Sequence, residues 1–232
     1  MTKRPIIAID GTAASGKTTT ARRVAEHFHY LCVDTGSMYR AITLKALQKK
    51  VDVSDAAALS GLVDMTDIAF VQGDGSVRVL LDHVDVTEAI RSPQVTEHVS
   101  AVSEVKHVRD ALVARQRDLG SRGGVVMEGR DIGTVVFPDA DVKIFMVADI
   151  GERVKRRGAE LEKKGLAVTA KTMEETLLRR DEWDSTRKNS PLRKAADAQV
   201  VNTTHLTIED QVEAVIRKVE RFLQRGESRK GA

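Results

Sequence analysis

The chain has 232 residues, 41% of them hydrophobic and 31% charged, a composition typical of one globular protein with a sizeable core. Its 37 basic residues are interleaved with 34 acidic ones and only 3% of residues are aromatic, so the net charge of +3 favours a solvated surface over a nucleic-acid-binding face, and we expect no nucleic-acid partner. The single cysteine fits a reducing compartment and no apolar run is as long as a membrane span, so we expect a cytoplasmic protein without a membrane partner. We also expect a monomer.

The first fifty residues alternate between strand and helix patterns. A β-branched run, 6–9, ends at Asp10-Gly11, and residues 17–29 carry an apolar helical stripe. A short strand over 31–33 and a helix over about 37–49 follow. This order predicts the beginning of a parallel α/β sheet.

The pattern changes between about residues 52 and 102. A short helix over about 55–65 precedes two apolar runs, 68–71 and 77–81. Gly73-Asp74-Gly75 separates these runs and supplies the positive-φ positions that a hairpin turn needs. An antiparallel hairpin within an alternating chain indicates an inserted subdomain, with a helix predicted to begin at Ser92-Pro93.

The rest of the chain returns to alternation. We predict a helix over about 95–117, two charged helices and a closing amphipathic helix; three further strands cover 125–127, 142–147 and 199–201. The charged helices cover about 150–164 and 173–188, and the closing helix about 208–223. The whole pattern predicts about five parallel strands with helices on both faces.

The loop after the first strand matches the phosphate-binding pattern G-x-x-x-x-G-K-[ST]. Glycines let successive backbone N–H groups point at phosphate oxygens, and the lysine reaches the β- and γ-phosphates. The next hydroxyl, Thr18, is a candidate Mg²⁺ ligand. The predicted nucleotide-binding residues are Gly11, Thr12, Ala13, Ala14, Ser15, Gly16, Lys17, Thr18 and Thr19. A strand before and a helix after the loop predict a three-layer P-loop α/β fold.

Arginines cluster where a phosphorylated acceptor could be held. Arg40 lies one helical turn after Gly36, and Arg130 and Asp131 follow the third strand of the main pattern. Ligands bind at the carboxyl ends of strands in open α/β sheets. Two later sets share a helix face by their spacing: Arg153, Arg156 and Arg157, then Arg180, Asp184 and Arg187. Cations in these places favour a kinase, whereas the N-K-x-D and D-x-x-G motifs of a GTPase switch are absent.

These motifs, in this order, resemble those of the bacterial cytidylate kinases, which have a core, a monophosphate-binding insert and a mobile lid. The most family-specific run is Gly129–Pro138. The resemblance is carried by the phosphate loop, residues 34–40, 108–112 and 129–138, and Arg180-Asp181-x-x-Asp184-x-x-Arg187. Four residues depart from the pattern. Ser15 stands where many relatives carry glycine or alanine, Thr18 where many carry glycine, Glu128 where aspartate is expected, and Thr35 where serine is expected.

The resemblance implies a role for each matching position. Those implied to hold the acceptor are Arg40, Arg130 and Arg187 at the α-phosphate, Ser100, Arg109 and Asp131 at the cytosine, Asp184 at the sugar, and Thr35 as a further contact. Those implied to act on the transferring phosphoryl group are Lys17, Arg130, Arg153 and Arg157, with Arg156 as a further contact to ATP.

The implied reaction transfers the γ-phosphoryl of ATP, with Mg²⁺, to CMP or dCMP. We expect one kinase domain over 1–232, whose core covers 1–62, 103–150 and 190–225, with an insert over about 63–102, containing the hairpin, and a helical lid over about 151–189. Alternatives from the residues alone are a P-loop kinase of UMP, AMP or a coenzyme precursor, a non-catalytic nucleotide-binding module, and a basic nucleic-acid binder.

Overall fold

A computed structural model describes residues 4–73, 76–163, 165 and 167–228, with backbone alone for 226–228. Sixteen regular helices and strands follow one another in this part of the chain. In chain order they are β1 (Ile6–Gly11), α1 (Lys17–Phe28), β2 (Leu31–Asp34), α2 (Thr35–Gln48), α3 (Ala56–Asp64), β3 (Ile68–Gly73), β4 (Ser76–Leu81), β5 (Val84–Asp85), α4 (Pro93–Glu104), α5 (Lys106–Gly120), β6 (Val125–Gly129), β7 (Val142–Val147), α6 (Ile150–Glu162), α7 (Ala170–Thr186), β8 (Gln199–Asn202) and α8 (Ile208–Ser228).

The main sheet has five strands in the order β2-β6-β1-β7-β8, and every neighbouring pair is parallel. The predicted five-stranded parallel α/β fold is therefore confirmed. The chain leaves β1 toward β2 on one side, and later crosses from β6 to β7 on the other. This reversal places the switch point of the topology, where open sheets bind ligands, at the carboxyl end of β1.

Helices cover both faces of this sheet. Successive residues of β1 point to opposite faces, so each face has its own packing partners. Ile7 and Ile9 are fully buried against α1 and α8, which present Val24 and Val219 to them. Ala8 points to the other face and packs with residues of β2, α5 and β6. The β1 strand is thus apolar on both faces, as a central parallel strand requires.

A second, antiparallel sheet of order β3-β4-β5 lies within the predicted insert. The predicted hairpin pairs Ile68 with Leu81 and Gly73 with Ser76; its turn residues, 74–75, lie outside the described part of the chain. The buried face of this sheet packs on α2, α3 and α5 in one hydrophobic cluster. The short strand β5 was not predicted, since two exposed residues carry no periodicity.

The helix predicted over about 95–117 differs from the observed structure, which has two helices. Val105 is extended, with φ −62° and ψ 115°, and it ends α4 and begins α5. Neither glycine nor proline marks this break in the sequence. Instead, α4 packs on α2 while α5 packs on α3, and the change of direction follows from these separate packings. In the described residues, no helix has the length and apolarity to span a membrane.

Candidate functional site

The phosphate loop begins where β1 ends, and its backbone requires glycine at both ends. Gly11 has φ 150°, and a Cβ there would lie 2.0 Å from the backbone oxygen of Met146. Gly16 has φ 95°, and Ala14 between them has φ 57°. Such values are strained for residues with a Cβ, so the loop takes the shape of a backbone cradle and leads directly into the N-terminus of α1.

Lys17 is the buried cation of this cradle, with 5% of its surface exposed. Its Nζ donates to the carbonyl oxygen of Thr12 at 2.6 Å. Burial, and then the nearby Arg130, lower the pKa of Lys17, while Glu128 opposes them. A buried ammonium beside a cationic guanidinium is short of negative charge, and a polyphosphate would supply it.

Thr18 and Glu128 meet across the cradle. Thr18 begins the exposed side of α1, and its hydroxyl donates to the carboxylate of Glu128, which is buried at the end of β6. Burial and the neighbouring Asp34 raise the pKa of Glu128, while Lys17 opposes them. The predicted Mg²⁺ ligand, Thr18, thus lies beside Glu128, which stands where the family pattern has aspartate.

Two arginines predicted to contact ATP lie against the back of the cradle. Arg153 is buried, donates to the carbonyl of Ala13 at 3.3 Å and pairs with Asp181 of α7. The same carboxylate of Asp181 accepts the Ala13 amide at 3.4 Å. Arg156 donates to the carbonyl of Thr203 at 2.6 Å. Ala13 is therefore contacted by both α6 and α7, and Arg156 of α6 adds a bond to the carbonyl of Ser15 at 3.4 Å.

The acceptor side of the cleft is a network of arginines and carboxylates. Arg130 Nε donates to Asp184 at 2.8 Å, and Arg109 pairs with Asp131. Arg187 lies 3.7 Å from Asp131 and 3.8 Å from Asp184, so it joins the two pairs. All five side chains are mostly buried, which fixes their geometry.

This network carries more positive than negative charge. Burial and neighbouring arginines lower the pKa of Arg40 to about 10 and also lower the pKa of Arg180 and Arg187. Burial lowers the pKa of Arg130, but Asp184, Glu128 and Asp181 together outweigh it and leave that pKa raised. The three guanidinium groups with lowered pKa values therefore lack full compensation, which makes this end of the cleft a site for an anion such as a phosphate.

The remaining acceptor-site predictions also fall in this region. Arg40 Nη1 donates to the carbonyl of Ile90 at 3.1 Å and to the hydroxyl of Thr96 at 2.9 Å. The buried Thr35 hydroxyl donates to the carbonyl of Glu128 at 2.9 Å. These bonds tie the start of α2 to β6 and to the segment around α4.

One cleft of about 810 Å³ joins the cradle to this network. The predicted residues that line it are Ala13, Ala14, Gly16, Lys17, Thr18, Thr19, Thr35, Arg40, Ser100, Arg109, Arg130, Asp131, Arg156, Arg157, Asp184 and Arg187. Gly11, Thr12, Ser15 and Arg153 are not among the lining residues. In the cleft wall Arg157 pairs with Glu160 at 2.7 Å.

Sequence reasoning assigned no role to several residues of this site. Arg180 and Arg91 line the cleft, as do Thr207 and Gln211 beside the cradle. The spacing of Arg180 with Asp184 and Arg187 was the signal that could have placed it there. Asp10, a buried carboxylate at the end of β1, carried the same kind of signal as Asp131.

Comparisons with known proteins agree with this geometry. The family model described as cytidylate kinase matches residues 7–221. Cytidylate kinases of Bacillus subtilis (strain 168) and Bacillus velezensis are 48% and 49% identical to the chain over 220 residues, which cover 95% of this chain and 98% of each relative. A crystal structure of an uncharacterized protein from Eubacterium ventriosum has a TM-score of 0.51 at 14% identity, covers 94% of this chain and 99% of its own, and supports the fold alone. With a family model over most of its length and relatives at nearly half identity, the chain belongs to the cytidylate kinase family.

Proposed function

We propose that the chain transfers the γ-phosphoryl group of ATP to CMP or dCMP, which gives ADP and CDP or dCDP. The observation that carries this proposal is the single cleft that joins a polyphosphate cradle to an arginine cluster with unmet positive charge. A donor bound at one end and a phosphorylated acceptor at the other would meet between Lys17 and Arg130.

ATP is the phosphoryl donor, and we assign its phosphates to the cradle. The backbone N–H groups of the loop and the N-terminus of α1 favour the β- and γ-phosphates, with Lys17 beside them. Arg156 and Arg157 line the cleft from α6 and are assigned to the same phosphates. Arg153 is assigned a supporting role in transfer through Ala13, whose carbonyl it contacts.

We assign the acceptor to the network around α4, α7 and the end of β6. Arg40, Arg130 and Arg187 are assigned to the α-phosphate of CMP, and the lowered pKa of Arg180 supports adding it to this group. An anion there would balance guanidinium groups that the carboxylates leave uncompensated.

The cytosine and the sugar are assigned to the paired side chains. Arg109 and Asp131 hold each other, and together they offer a donor and an acceptor for the base edge, with Ser100 nearby in the cleft. Asp184, held by Arg130, is assigned to the sugar hydroxyls. Thr35 supports this site through its bond to Glu128.

Transfer in this arrangement needs no general base, because the phosphate oxygen that attacks is already anionic near neutral pH. Catalysis then rests on positioning and on neutralising charge in the transferring group by Lys17 and the cleft arginines. Movement of α6 and α7 over the cleft would exclude water, which would otherwise accept the phosphoryl group.

The residues present fit a magnesium ion. Mg²⁺ is usually held by one or two protein oxygens together with substrate phosphates, and the Thr18 hydroxyl and Glu128 carboxylate offer such oxygens at the cradle. No cluster of three or more metal-binding side chains occurs in the described part of the chain. When bound with ATP, the ion would neutralise charge on the β- and γ-phosphates.

We also propose a division of labour along the chain. Residues 63–102 would act as the monophosphate-binding insert, because they place Ser100 and Arg91 in the cleft. Residues 151–189 would act as the lid, and the rest as the core. One chain supplies both ends of the cleft, which supports a monomeric enzyme.

The test is a coupled assay of ADP release with ATP and a panel of CMP, dCMP, UMP and AMP. We expect CMP and dCMP to give the highest kcat/KM. A preference for UMP or AMP would replace the proposed acceptor within the same reaction class. ADP release that no monophosphate accelerates would instead indicate a nucleotide-binding module and would contradict the proposal.

A further inference from the structure

The carboxylate of Asp10 is buried at the end of β1 and does not line the cleft. Only 4% of Asp10 is exposed. One carboxylate oxygen accepts the backbone amide of Ile132 at 2.8 Å, and the other accepts the amide of Gly133 at 2.7 Å. Both amides belong to a single π-helical turn over Ile132–Val136, whose first N–H groups have no partner within the turn.

This contact joins the two halves of the proposed site. Asp10 is followed directly by Gly11, the first residue of the phosphate cradle. The π-turn is preceded directly by Arg130 and Asp131, which belong to the acceptor network. A single side chain therefore links the donor loop to the segment that carries the acceptor-binding side chains.

The contact between Asp10 and the π-helical turn is closely packed. A Cβ at Gly133 would lie 3.3 Å from the Asp10 carboxylate and 3.3 Å from the Lys143 side chain, so the π-turn approaches Asp10 as nearly as a glycine backbone allows. In addition, β1 and β6 pair in register up to Asp10 and Gly129. The carboxylate continues this alignment past the point where the strand hydrogen bonds stop.

The negative charge of the buried Asp10 carboxylate lowers the stability of the folded state. Burial raises the pKa of its carboxyl to about 6, and Asp131 adds to this effect, whereas the two amide bonds and Lys17 oppose it. Asparagine has nearly the same shape and carries no charge, but its amide nitrogen cannot accept the second N–H. A carboxylate is thus the side chain of this size that satisfies both amides.

We propose that Asp10 is a positioning residue that sets the distance between the phosphate cradle and the Arg130–Asp131 segment. This inference rests on the proposed phosphoryl transfer. Two phosphates that must meet in line are sensitive to errors of about 1 Å, which can cost about 100-fold in rate. Each subsite is complete without Asp10, so its loss should change the alignment of the substrates more than their binding.

The test compares Asp10→Asn with wild type in kcat and in the separate affinities for CMP and for a non-hydrolysable ATP analogue, both measured by calorimetry. We expect kcat to fall about 10- to 100-fold while each dissociation constant stays within about threefold. A loss of affinity in proportion to the loss of kcat, or an unchanged kcat, would overturn the positioning role.

Asp141→Asn is the matched control. Its carboxylate accepts the backbone amide of Ile6 at 2.9 Å, at the opposite end of the same strand β1. We expect this variant to keep wild-type kcat. An equal fall in kcat for both variants would mean that general loosening of β1 explains the result, and the proposal would fail.

A second variant covers the case in which Asp10→Asn does not fold. Gly133→Ala keeps the carboxylate but pushes the π-helical turn away from Asp10 by a few tenths of an ångström. We expect kcat to fall about three- to tenfold with both affinities preserved. An unchanged kcat here would also contradict the proposal. Failure of the proposed function is distinguishable, because wild type itself would then show no acceptor-stimulated ADP release.

Discussion

Arg130 and Asp184 form a buried ion pair in which Nε of Arg130 lies 2.8 Å from a carboxylate oxygen of Asp184. The pair joins the end of β6 to α7, across 54 positions of the chain. Burial disfavours the charged form of Asp184, but Arg130 and Arg180 outweigh it and leave the pKa of Asp184 lowered. The pair therefore stays ionised and presents the rest of the guanidinium group to the acceptor end of the cleft.

Arg130→Ala should impair use of CMP far more than binding of ATP. The substitution removes a cation from the acceptor network and leaves the Asp184 carboxylate without its nearest partner. We expect kcat/KM for CMP to fall about 100- to 1,000-fold, with the dissociation constant of an ATP analogue within about threefold of wild type. Steady-state kinetics and calorimetry check this split, and equal losses for both nucleotides would contradict the assignment of Arg130.

Lys17→Met should abolish transfer without weakening the fold. Burial and the nearby Arg130 lower the pKa of Lys17, so removing its charge relieves a cost that offsets the lost bond to the Thr12 carbonyl, and methionine keeps most of its volume. We expect kcat to fall about 1,000-fold and Tm to stay equal or rise. A variant with near-normal turnover would contradict phosphate binding by this cradle.

Lys45→Met is the matched control for that variant. Lys45 is also a buried lysine, but it bonds the carbonyl of Met65 at 3.0 Å and pairs with Asp82 at 2.7 Å, away from the cleft. We expect this variant to lose about 1–3 kcal/mol of stability, because both the Met65 carbonyl and the Asp82 carboxylate lose their partner, and to keep kcat. Thermal unfolding and kinetics on the two variants together separate catalytic from structural lysines.

Arg180 and its neighbour Arg179 offer a direct test of which face of α7 binds the acceptor. Arg180 lines the cleft and has a lowered pKa, whereas Arg179 is exposed. A charge-assisted hydrogen bond contributes about 1.5–3 kcal/mol, so Arg180→Ala should lower kcat/KM for CMP about 10- to 100-fold. Arg179→Ala should leave it unchanged. Equal effects would mean that general positive charge, not a specific contact, attracts the acceptor.

The sequence predicted the strands of the main sheet well because each is a short apolar run bounded by polar or glycine residues. The β7 strand begins and ends where the pattern placed it, at Val142 and Val147. The break at Val105 could not be predicted, since the apolar spacing continues from α4 into α5 and only their separate packing partners divide them. Tertiary packing overrides local periodicity in such cases.

The site was predictable where topology alone fixes a position. Arg130 and Asp131 follow a buried strand, so they had to lie at the edge where parallel strands end. The position of Arg153 depends instead on its pairing with Asp181, which turns it toward Ala13. The partners of Asp10 lie more than 120 residues away in sequence, and no local sequence pattern predicts them.

Gly11→Ala should destabilise the protein severely. Its Cβ would lie 2.0 Å from the backbone oxygen of Met146, and β7 would have to move to make room. We expect a loss of about 3 kcal/mol or more in the free energy of unfolding by urea. Gly151→Ala is the control, because nothing lies within 4 Å of its Cβ in α6, and helix propensity predicts a gain of up to about 1 kcal/mol. Similar stabilities for the two variants would contradict the tight cradle.

Asp10 should make stability depend on pH in the direction opposite to most carboxylates. Burial raises its pKa in the folded state to about 6 from an ordinary value of 3.8, so between these values the folded protein binds more protons than the unfolded chain. Stability from this group is therefore highest below pH 4 and falls as the pH rises through 6, by about 2–3 kcal/mol in total.

Other titrating groups near Asp10, including Lys17, Asp131 and Lys143, are present in both wild type and Asp10→Asn, and they largely cancel in a comparison of the two. Urea unfolding at a series of pH values should then show that the free energy of unfolding of wild type, relative to that of the variant, rises as the pH falls from 7.5 to 4. A flat difference, or a gain toward higher pH, would mean that the two amide bonds outweigh burial and hold the pKa of Asp10 at or below its ordinary value.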